Sequence, residues 1–161
     1  MNLFLRTLKL TDRHEDLLTE FLAVALHADR QLREKYARSF LGGYAERHGW
    51  KPPQIVDITT QASYPDQGRP DMLLTLNDGH VVACEHKIEA PETAMLVEGE
   101  ESEPRKQLAR YLGIPGVNAL LYFRASFKSP TQDVLDHPGY IAPPDRAHYL
   151  WRDLYPLLQC S

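Results

Sequence analysis

The sequence predicts one α/β domain in which helices flank a central mixed β-sheet. Three observations predict this class. Apolar residues recur at helical spacing in residues 14–41, and from Gln54 the pattern changes to β-branched residues in rough alternation. Two apolar segments are then joined by Asn77-Asp78-Gly79, a strong hairpin signal. The full pattern gives the order helix, three strands, helix, strand (αβββαβ), with a further strand and helix after it.

The first helical region is predicted to form two helices, or one helix broken near Ala28-Asp29. Thr11 or Asp12 is a candidate cap for its start, and Gly42-Gly43 is predicted to end it. A further helical stretch around 44–49 is predicted before Pro52-Pro53 imposes an extended chain.

The three predicted strands of the first half are 54–64, 71–76 and 80–88. After them, residues 90–104 are acidic and poorly patterned, which favours a solvated loop. A helix is predicted from Glu103 to Leu112, with Gly113 ending it.

A continuous apolar segment, 117–126, is typical of a strand that is buried on both faces. The proline-rich residues 137–145 are predicted to form a loop. Residues 147–151 then form a short strand, and 152–158 begin a final helix.

Composition agrees with one globular domain over residues 1–161 and argues against disordered, fibrous and membrane classes, since 43% of residues are hydrophobic and 25% charged. The start is interrupted by Arg6 and Lys9, unlike a signal peptide, and no membrane partner is expected. The chain has only two cysteines, a usage typical of proteins in a reducing cytoplasm and unlike a disulfide framework. The net charge of −4 predicts no globally basic surface for nucleic acid.

The register of the hairpin decides which side chains meet at its open end. Side chains alternate along a strand, so Glu85 and Lys87 share one face and His86 lies on the other. A two-residue turn would place Asp71 opposite His86. A three-residue loop with Gly79 in the left-handed position of a bulge places Asp71 opposite Glu85, and the Asn-Asp-Gly sequence suits that loop.

On this interpretation two carboxylates and a lysine converge. Two ionised carboxylates a few ångströms apart repel unless a cation lies between them. Mg²⁺ suits one or two carboxylates together with waters and a substrate phosphate, and a nearby lysine can assist the attacking water. The constellation of Asp71, Glu85 and Lys87 therefore indicates phosphodiester hydrolysis.

Pro70-Asp71, the hairpin and Glu85-His86-Lys87 together resemble the PD-(D/E)xK nuclease superfamily. The resemblance implies a restriction-endonuclease-like core, which has the helix and strand order given above. It also implies that Asp71 and Glu85 bind Mg²⁺ or Mn²⁺, that the main-chain carbonyl of His86 is a further ligand, and that Lys87 serves the attacking water. The alternative interpretation is a surface Glu/Lys pair at the end of a strand.

Residues 107–111, QLARY, are similar to the Gln-x-x-x-Tyr motif of RecB-like nucleases. The resemblance implies that Gln107 lies beside the active site and that Tyr111 points towards the nucleic-acid backbone. Ordinary core packing of Tyr111 remains the alternative.

Glu20 also has a counterpart in this superfamily, where several families carry a metal-directed glutamate on the first helix. Glu15 and Asp16 are competing choices, and a solvated acidic helix face is a further alternative. Packing of a stripe of Leu17, Phe21 and Val24 on the sheet would leave Glu20 beside it, facing the strand ends.

The resemblance spans nearly all of the chain and implies a bacterial, cytoplasmic Mg²⁺-dependent deoxyribonuclease. In similar families more chain commonly follows, so the domain is expected to be the N-terminal part of a longer protein. DNA is the expected partner, and a homodimer or a partner subunit stays open. Two alternatives remain, a catalytically inactive binding module and a hydrolase of a non-nucleic phosphate ester. A positive rim for phosphates is predicted from Arg69, Lys87, Arg105, Lys106, Arg110, Arg124 and Lys128.

Overall fold

A computed structural model describes residues 14–88, 103–125 and 129–159, and in it helices cover both faces of a six-stranded mixed sheet. The α/β class is therefore confirmed. The helices are α1 (His14–Ala28), α2 (Arg30–Arg47), α3 (Glu103–Leu112), α4 (Gln132–Leu135), a 3₁₀ helix (Trp151–Leu154) and α5 (Tyr155–Leu158). The strands are β1 (Ile55–Thr60), β2 (Met72–Leu76), β3 (Val81–Lys87), β4 (Ala119–Arg124), β5 (Tyr140–Ile141) and β6 (Tyr149–Leu150).

The strand order is β1-β2-β3-β4-β5, and β6 also pairs with β4. The β1–β2 and β2–β3 pairs are antiparallel, whereas β4 runs parallel to β3, β5 and β6. The carboxyl ends of β3 and β4 and the start of β2 therefore meet at one edge of the sheet.

The turn between β2 and β3 is the three-residue loop that the sequence predicts. The Gly79 amide donates to the Leu76 carbonyl at 2.9 Å, and the Leu76 amide donates to the His80 carbonyl at 2.8 Å. Gly79 has a φ of 89°, the left-handed conformation that favours glycine. This combination is a type I turn closed by a G1 bulge.

This loop fixes the register of the hairpin. Met72 lies opposite Cys84, and each step along β2 keeps the same pairing with β3. Continuing the ladder by one residue places Asp71 opposite Glu85. The predicted register is therefore confirmed.

The break between the first two helices is also confirmed. The carboxylate of Asp29, which has extended backbone angles, accepts the amides of Gln31 and Leu32 at 2.8 and 3.0 Å. Asp29 is therefore the N-cap of α2.

The prediction that Gly42-Gly43 ends this helix is wrong, because α2 continues to Arg47. Leu41 and Tyr44 are buried on either side of the glycine pair, so the packing of the helix outweighs the conformational cost of the two glycines. Helical geometry stops near Gly49, whose φ is 68°.

The condition under which Glu20 would face the strand ends, packing of Leu17, Phe21 and Val24 together on the sheet, is not met. Phe21 is 38% exposed and Val24 is 63% exposed. Apolar residues lie on both sides of α1, so helical spacing alone does not determine which side is buried. The buried residues of α1 are Thr19, Leu22, Ala23 and Leu26.

Two apolar cores lie on opposite faces of the sheet. The larger core joins α1 and α2 to alternate residues of β2, β3 and β4, including Met72, Cys84 and Phe123. The smaller core joins α3 and α4 to the other set, including Ala83 and Leu120.

The predicted strands near 117–126 and 147–151 correspond to β4 and β6. The predicted loop at 137–145 contains the short strand β5, which that prediction missed, and the C-terminal helix begins as a 3₁₀ helix. Residues 90–102 of the predicted acidic loop lie outside the described residues. None of the described helices combines the length and apolar composition needed to cross a membrane.

Candidate functional site

Asp71, Glu85 and Lys87 come together at the edge where β2 begins and β3 ends. Glu85 is only 1% exposed, and Asp71 is 9% exposed. Lys87 Nζ lies 2.9 Å from Glu85 Oε1. The predicted trio is therefore brought into one partly buried cluster by the hairpin register.

Asp71 is oriented by the backbone of the opposite strand. Its Oδ2 accepts the His86 amide at 2.7 Å, a charge-assisted bond when the carboxylate is ionised. Burial raises the pKa of Asp71, and the His86 amide partly offsets this effect. The remaining Oδ1 is not used by this bond.

Glu85 is a buried carboxylate whose two oxygens have no hydrogen-bond partner among the described residues. The approach of Lys87 to Oε1 has the distance of an ion pair without hydrogen-bond geometry. Burial, and next the charge of Asp71, raise the pKa of Glu85 to about 8, although Lys87 acts in the opposite direction. Burial and the charge of Asp71 therefore favour the protonated form of Glu85, and an added cation would favour the ionised form.

Lys87 lies between two carboxylates. Besides its pair with Glu85, its Nζ is 3.4 Å from Glu15 Oε2, and Glu15 Oε1 accepts the Ile88 amide at 3.0 Å. Burial acts to lower the pKa of Lys87, but the charge of Glu85 and then of Glu15 outweighs it, so the net pKa is raised. Lys87 is thus a cation at neutral pH.

The side chain of His86 faces away from this cluster, as predicted. Its Nδ1 lies 2.9 Å from Thr19 Oγ1, and its ring is near those of Phe123 and Trp151, with centroids 5.6 and 5.2 Å away. Burial lowers the pKa of His86 to about 3, so the imidazole is neutral. The role of its main-chain carbonyl as a metal ligand stays a prediction.

Trp151 supports the end of β3 from the same side. Its indole Nε1 donates to the Lys87 carbonyl at 3.1 Å. The chain near β6 therefore holds the backbone that carries Lys87 in place.

Gln107 and Tyr111 are joined to the segment that precedes Asp71. Gln107 Nε2 donates to the Tyr111 hydroxyl at 2.6 Å, and this hydroxyl donates to the Arg69 carbonyl at 2.8 Å. Tyr111 is 1% exposed, and burial raises its pKa to about 12. A carbon added at Gly68 would lie 3.5 Å from the Tyr111 ring, so this approach is close.

Tyr111 is thus part of the smaller core and also positions the chain before Asp71. Gln107 reaches this segment through Tyr111. Among the described residues no hydrogen bond or ion pair joins Gln107 to Asp71 or Glu85.

Glu15, not Glu20, is the residue of α1 that contacts the cluster. Five residues turn an α-helix through about 140°, so Glu15 and Glu20 point in different directions. No hydrogen bond or ion pair joins Glu20 to Asp71, Glu85 or Lys87 in the described part of the chain. Glu15 and the buried Thr19 are four residues apart and share a face of α1, and the burial of that face is known only from the structure.

The predicted positive rim is only partly assembled. Arg69 Nη2 lies 3.7 Å from Asp16 Oδ2, and Arg124 Nη1 lies 3.4 Å from the Tyr122 hydroxyl. Arg110 is exposed on α3. The side chains of Arg105, Lys106 and Lys128 lie outside the part that the structure describes.

The chemistry of the donors suits a hard divalent cation. Asp71 and Glu85 supply carboxylate oxygens, and the buried Glu85 oxygens accept no hydrogen bond of regular geometry from the described residues. Within the described ranges, no group of three or more His, Cys, Asp or Glu side chains is arranged to hold a metal. A bound Mg²⁺ or Mn²⁺ would therefore take its other ligands from water, backbone or substrate.

Comparison of the chain with protein-family models, curated proteins and solved structures found no significant match.

Proposed function

We propose that this protein is a metal-dependent nuclease that hydrolyses DNA phosphodiester bonds. The observation that carries the proposal is Glu85, a buried carboxylate without a hydrogen-bond partner among the described residues, held beside Asp71 and Lys87. A cation between the carboxylates would relieve their repulsion and compensate for the burial of Glu85.

In this proposal Asp71 and Glu85 hold one Mg²⁺ or Mn²⁺. The bound ion would activate the scissile phosphate and a water molecule as a Lewis acid. The Lys87 ammonium would orient the attacking water and balance negative charge near the phosphate. Glu15 would position Lys87, and Gln107 and Tyr111 would position the segment that carries Asp71.

The sequential order of α1, the first three strands, α3 and β4 supports a restriction-endonuclease-like core as part of the same proposal. The parallel pairing of β3 with β4 after two antiparallel pairs is consistent with it. A cytoplasmic location follows from the proposed activity on DNA in a bacterium, together with the cysteine usage.

The test is degradation of linear and plasmid DNA by the native chain with Mg²⁺, Mn²⁺ or EDTA. Asp71→Asn, Glu85→Gln and Lys87→Ala should each lower the rate by about 10²-fold or more. Glu46→Gln, a change of the same kind at an exposed position outside the cluster, should leave the rate unchanged. Equal cleavage by all of these variants would show that the cluster is not the active site.

A catalytically inactive DNA-binding module is the second candidate. It is favoured by the ion pair of Lys87 with Glu15, which offsets the charge of the ammonium group. This candidate predicts DNA binding without metal-dependent cleavage and an unchanged affinity after Lys87→Ala. A small phosphodiester in the same assay distinguishes DNA hydrolysis from hydrolysis of a non-nucleic ester.

A further inference from the structure

A groove lies between α2 and the start of β1, remote from the candidate site. It has a volume of about 640 Å³. One wall is formed by α2 and the other by the extended chain that enters β1. Its lining residues are Arg30, Arg33, Glu34, Arg38, Pro52, Pro53, Gln54, Ile55 and Val56.

The charge of this groove differs from that of the whole molecule. The sequence of α2 contains five Arg or Lys and two Glu, a formal charge of +3, although the chain carries −4. Within the groove, Arg30 is paired with Glu34 at 2.7 Å. Arg33 and Arg38 have no hydrogen-bond or ion-pair partner in the described part of the chain.

The wall opposite these arginines is held in place by the β2–β3 turn. The Lys51 and Gln54 amides donate to the side chains of Asp78 and Asn77 at 3.3 and 3.2 Å. The Asn77 amide donates back to the Gln54 carbonyl at 2.9 Å. Pro52 and Pro53 also restrict the backbone angles of this segment, so the wall that leads into β1 is rigid.

Val56 completes the rigid wall with an exposed apolar surface. It lies where the pairing of β1 with β2 shifts between Ile55 and Asp57, and it is 61% exposed. A sugar-phosphate backbone offers both an apolar sugar face and anionic oxygens. The groove therefore offers an apolar surface to the sugars and guanidinium groups to the phosphates.

We propose that this groove binds the phosphate backbone of DNA through Arg33 and Arg38. Guanidinium groups bind phosphate oxygens in a bidentate manner and stay charged at every physiological pH. The inference rests on the proposed function, because it assigns the surface that holds the nucleic acid outside the cleavage site.

The candidate site and the groove lie near opposite ends of α1. Glu15 contacts Lys87 at the start of α1, and Arg30 begins α2 after α1 ends. From Glu15 to its end at Ala28, α1 rises about 20 Å, which corresponds to about six base pairs of duplex. One duplex of about 20 base pairs is long enough to reach both places.

The test measures binding of a fluorescein-labelled 20-base-pair duplex by anisotropy in EDTA, so that cleavage plays no part. The Arg33→Gln/Arg38→Gln variant should bind about tenfold or more weakly than the native chain. Its plot of log affinity against log salt should be shallower by about 2, since two phosphate contacts are lost. Arg33→Lys/Arg38→Lys should recover part of the affinity.

The matched control is Lys35→Gln/Arg47→Gln, which removes two charges from the same helix outside the groove. It should retain native affinity within about twofold. An equal loss in this control, or no DNA binding by the native chain, would overturn the inference. Labelled poly-glutamate that binds as tightly as DNA through the same arginines would also overturn it, in favour of an acidic protein partner.

The two proposals fail in different ways. Metal-independent binding through Arg33 and Arg38 without any cleavage would contradict the nuclease function and leave the groove assignment standing. Cleavage that depends on Asp71 with native binding by the Arg33→Gln/Arg38→Gln variant would contradict only the groove assignment.

Discussion

Glu85 is a carboxylic acid that is buried beside another carboxylate. Its pKa is raised from 4.5 to about 8 by burial, and next by Asp71. The folded protein therefore holds more protons than the unfolded chain between these two values. The stabilisation is complete below a pH of about 4.5 and is lost as the pH rises through about 8, and burial of Asp71 acts in the same direction.

We expect Glu85→Gln to abolish most of this pH dependence. The amide is neutral at every pH, so the variant avoids the cost of ionising a buried acid, which is on the order of a few kcal/mol. The measurement is the free energy of unfolding by urea between pH 5 and pH 8.5 in EDTA. Glu46→Gln, at an exposed position, should keep the native pH profile. An unchanged slope in Glu85→Gln would show that Glu85 is ionised across this range.

Tyr111 combines packing with two hydrogen bonds that hold the chain near Asp71. Tyr111→Phe keeps the ring in the smaller core and removes only the hydroxyl. It should lower the free energy of unfolding by about 1–2 kcal/mol, because the Arg69 carbonyl loses its donor. Urea unfolding measures this change, and Tyr155→Phe, which removes a hydroxyl from a residue that is 63% exposed, is the control.

The same Tyr111→Phe variant tests whether Tyr111 positions Asp71. If the native chain cleaves DNA, Tyr111→Phe should lower the cleavage rate with little change in DNA affinity. A loss of affinity with the rate retained would instead favour direct contact of Tyr111 with the nucleic-acid backbone.

The β2–β3 hairpin is the element on which the site depends, because its loop sets the register. Gly79→Ala places a β-carbon at a φ of 89°, with no atom within 4 Å of it. The expected loss of about 1–2 kcal/mol therefore comes from backbone strain alone. Thermal unfolding measures it.

Gly49 provides the comparison for this hairpin variant, since it also has a positive φ and open space around its Cα. Gly49→Ala should cost a similar amount of stability without affecting the site. If Gly79 fixes the register, Gly79→Ala should weaken metal binding or lower the rate of DNA cleavage more than Gly49→Ala does. Equal effects on activity would mean that the register does not depend on the turn.

Across the whole molecule, the features predictable from sequence are those determined by nearby residues. Asn77-Asp78-Gly79 determines its own turn, and through it the pairing of Asp71 with Glu85. Asp29 caps the helix that directly follows it. Each of these outcomes depends on backbone geometry within a few residues.

The features that were not predictable depend on packing between distant segments. Glu15 is 72 residues from Lys87 in the chain, and the orientation of α1 that joins them depends on which of its two apolar sides is buried. The exposed Phe21 and Val24 show that helical spacing alone chooses the wrong side. Likewise, the two residues of β5 form a strand through their pairing with Leu120 and Leu121 of β4, about 20 residues earlier in the chain.

Binding of Mn²⁺ measured by calorimetry, at several pH values and in buffers of different ionisation enthalpy, tests the central claim most directly. If the cation displaces the proton of Glu85, we expect saturable binding that releases about one proton near pH 6.5 and progressively fewer as the pH rises above the pKa of about 8. Glu85→Gln should weaken this binding and abolish the proton release. Absence of saturable binding, or identical binding and proton release in Glu85→Gln, would contradict the assignment of Asp71 and Glu85 as a metal site.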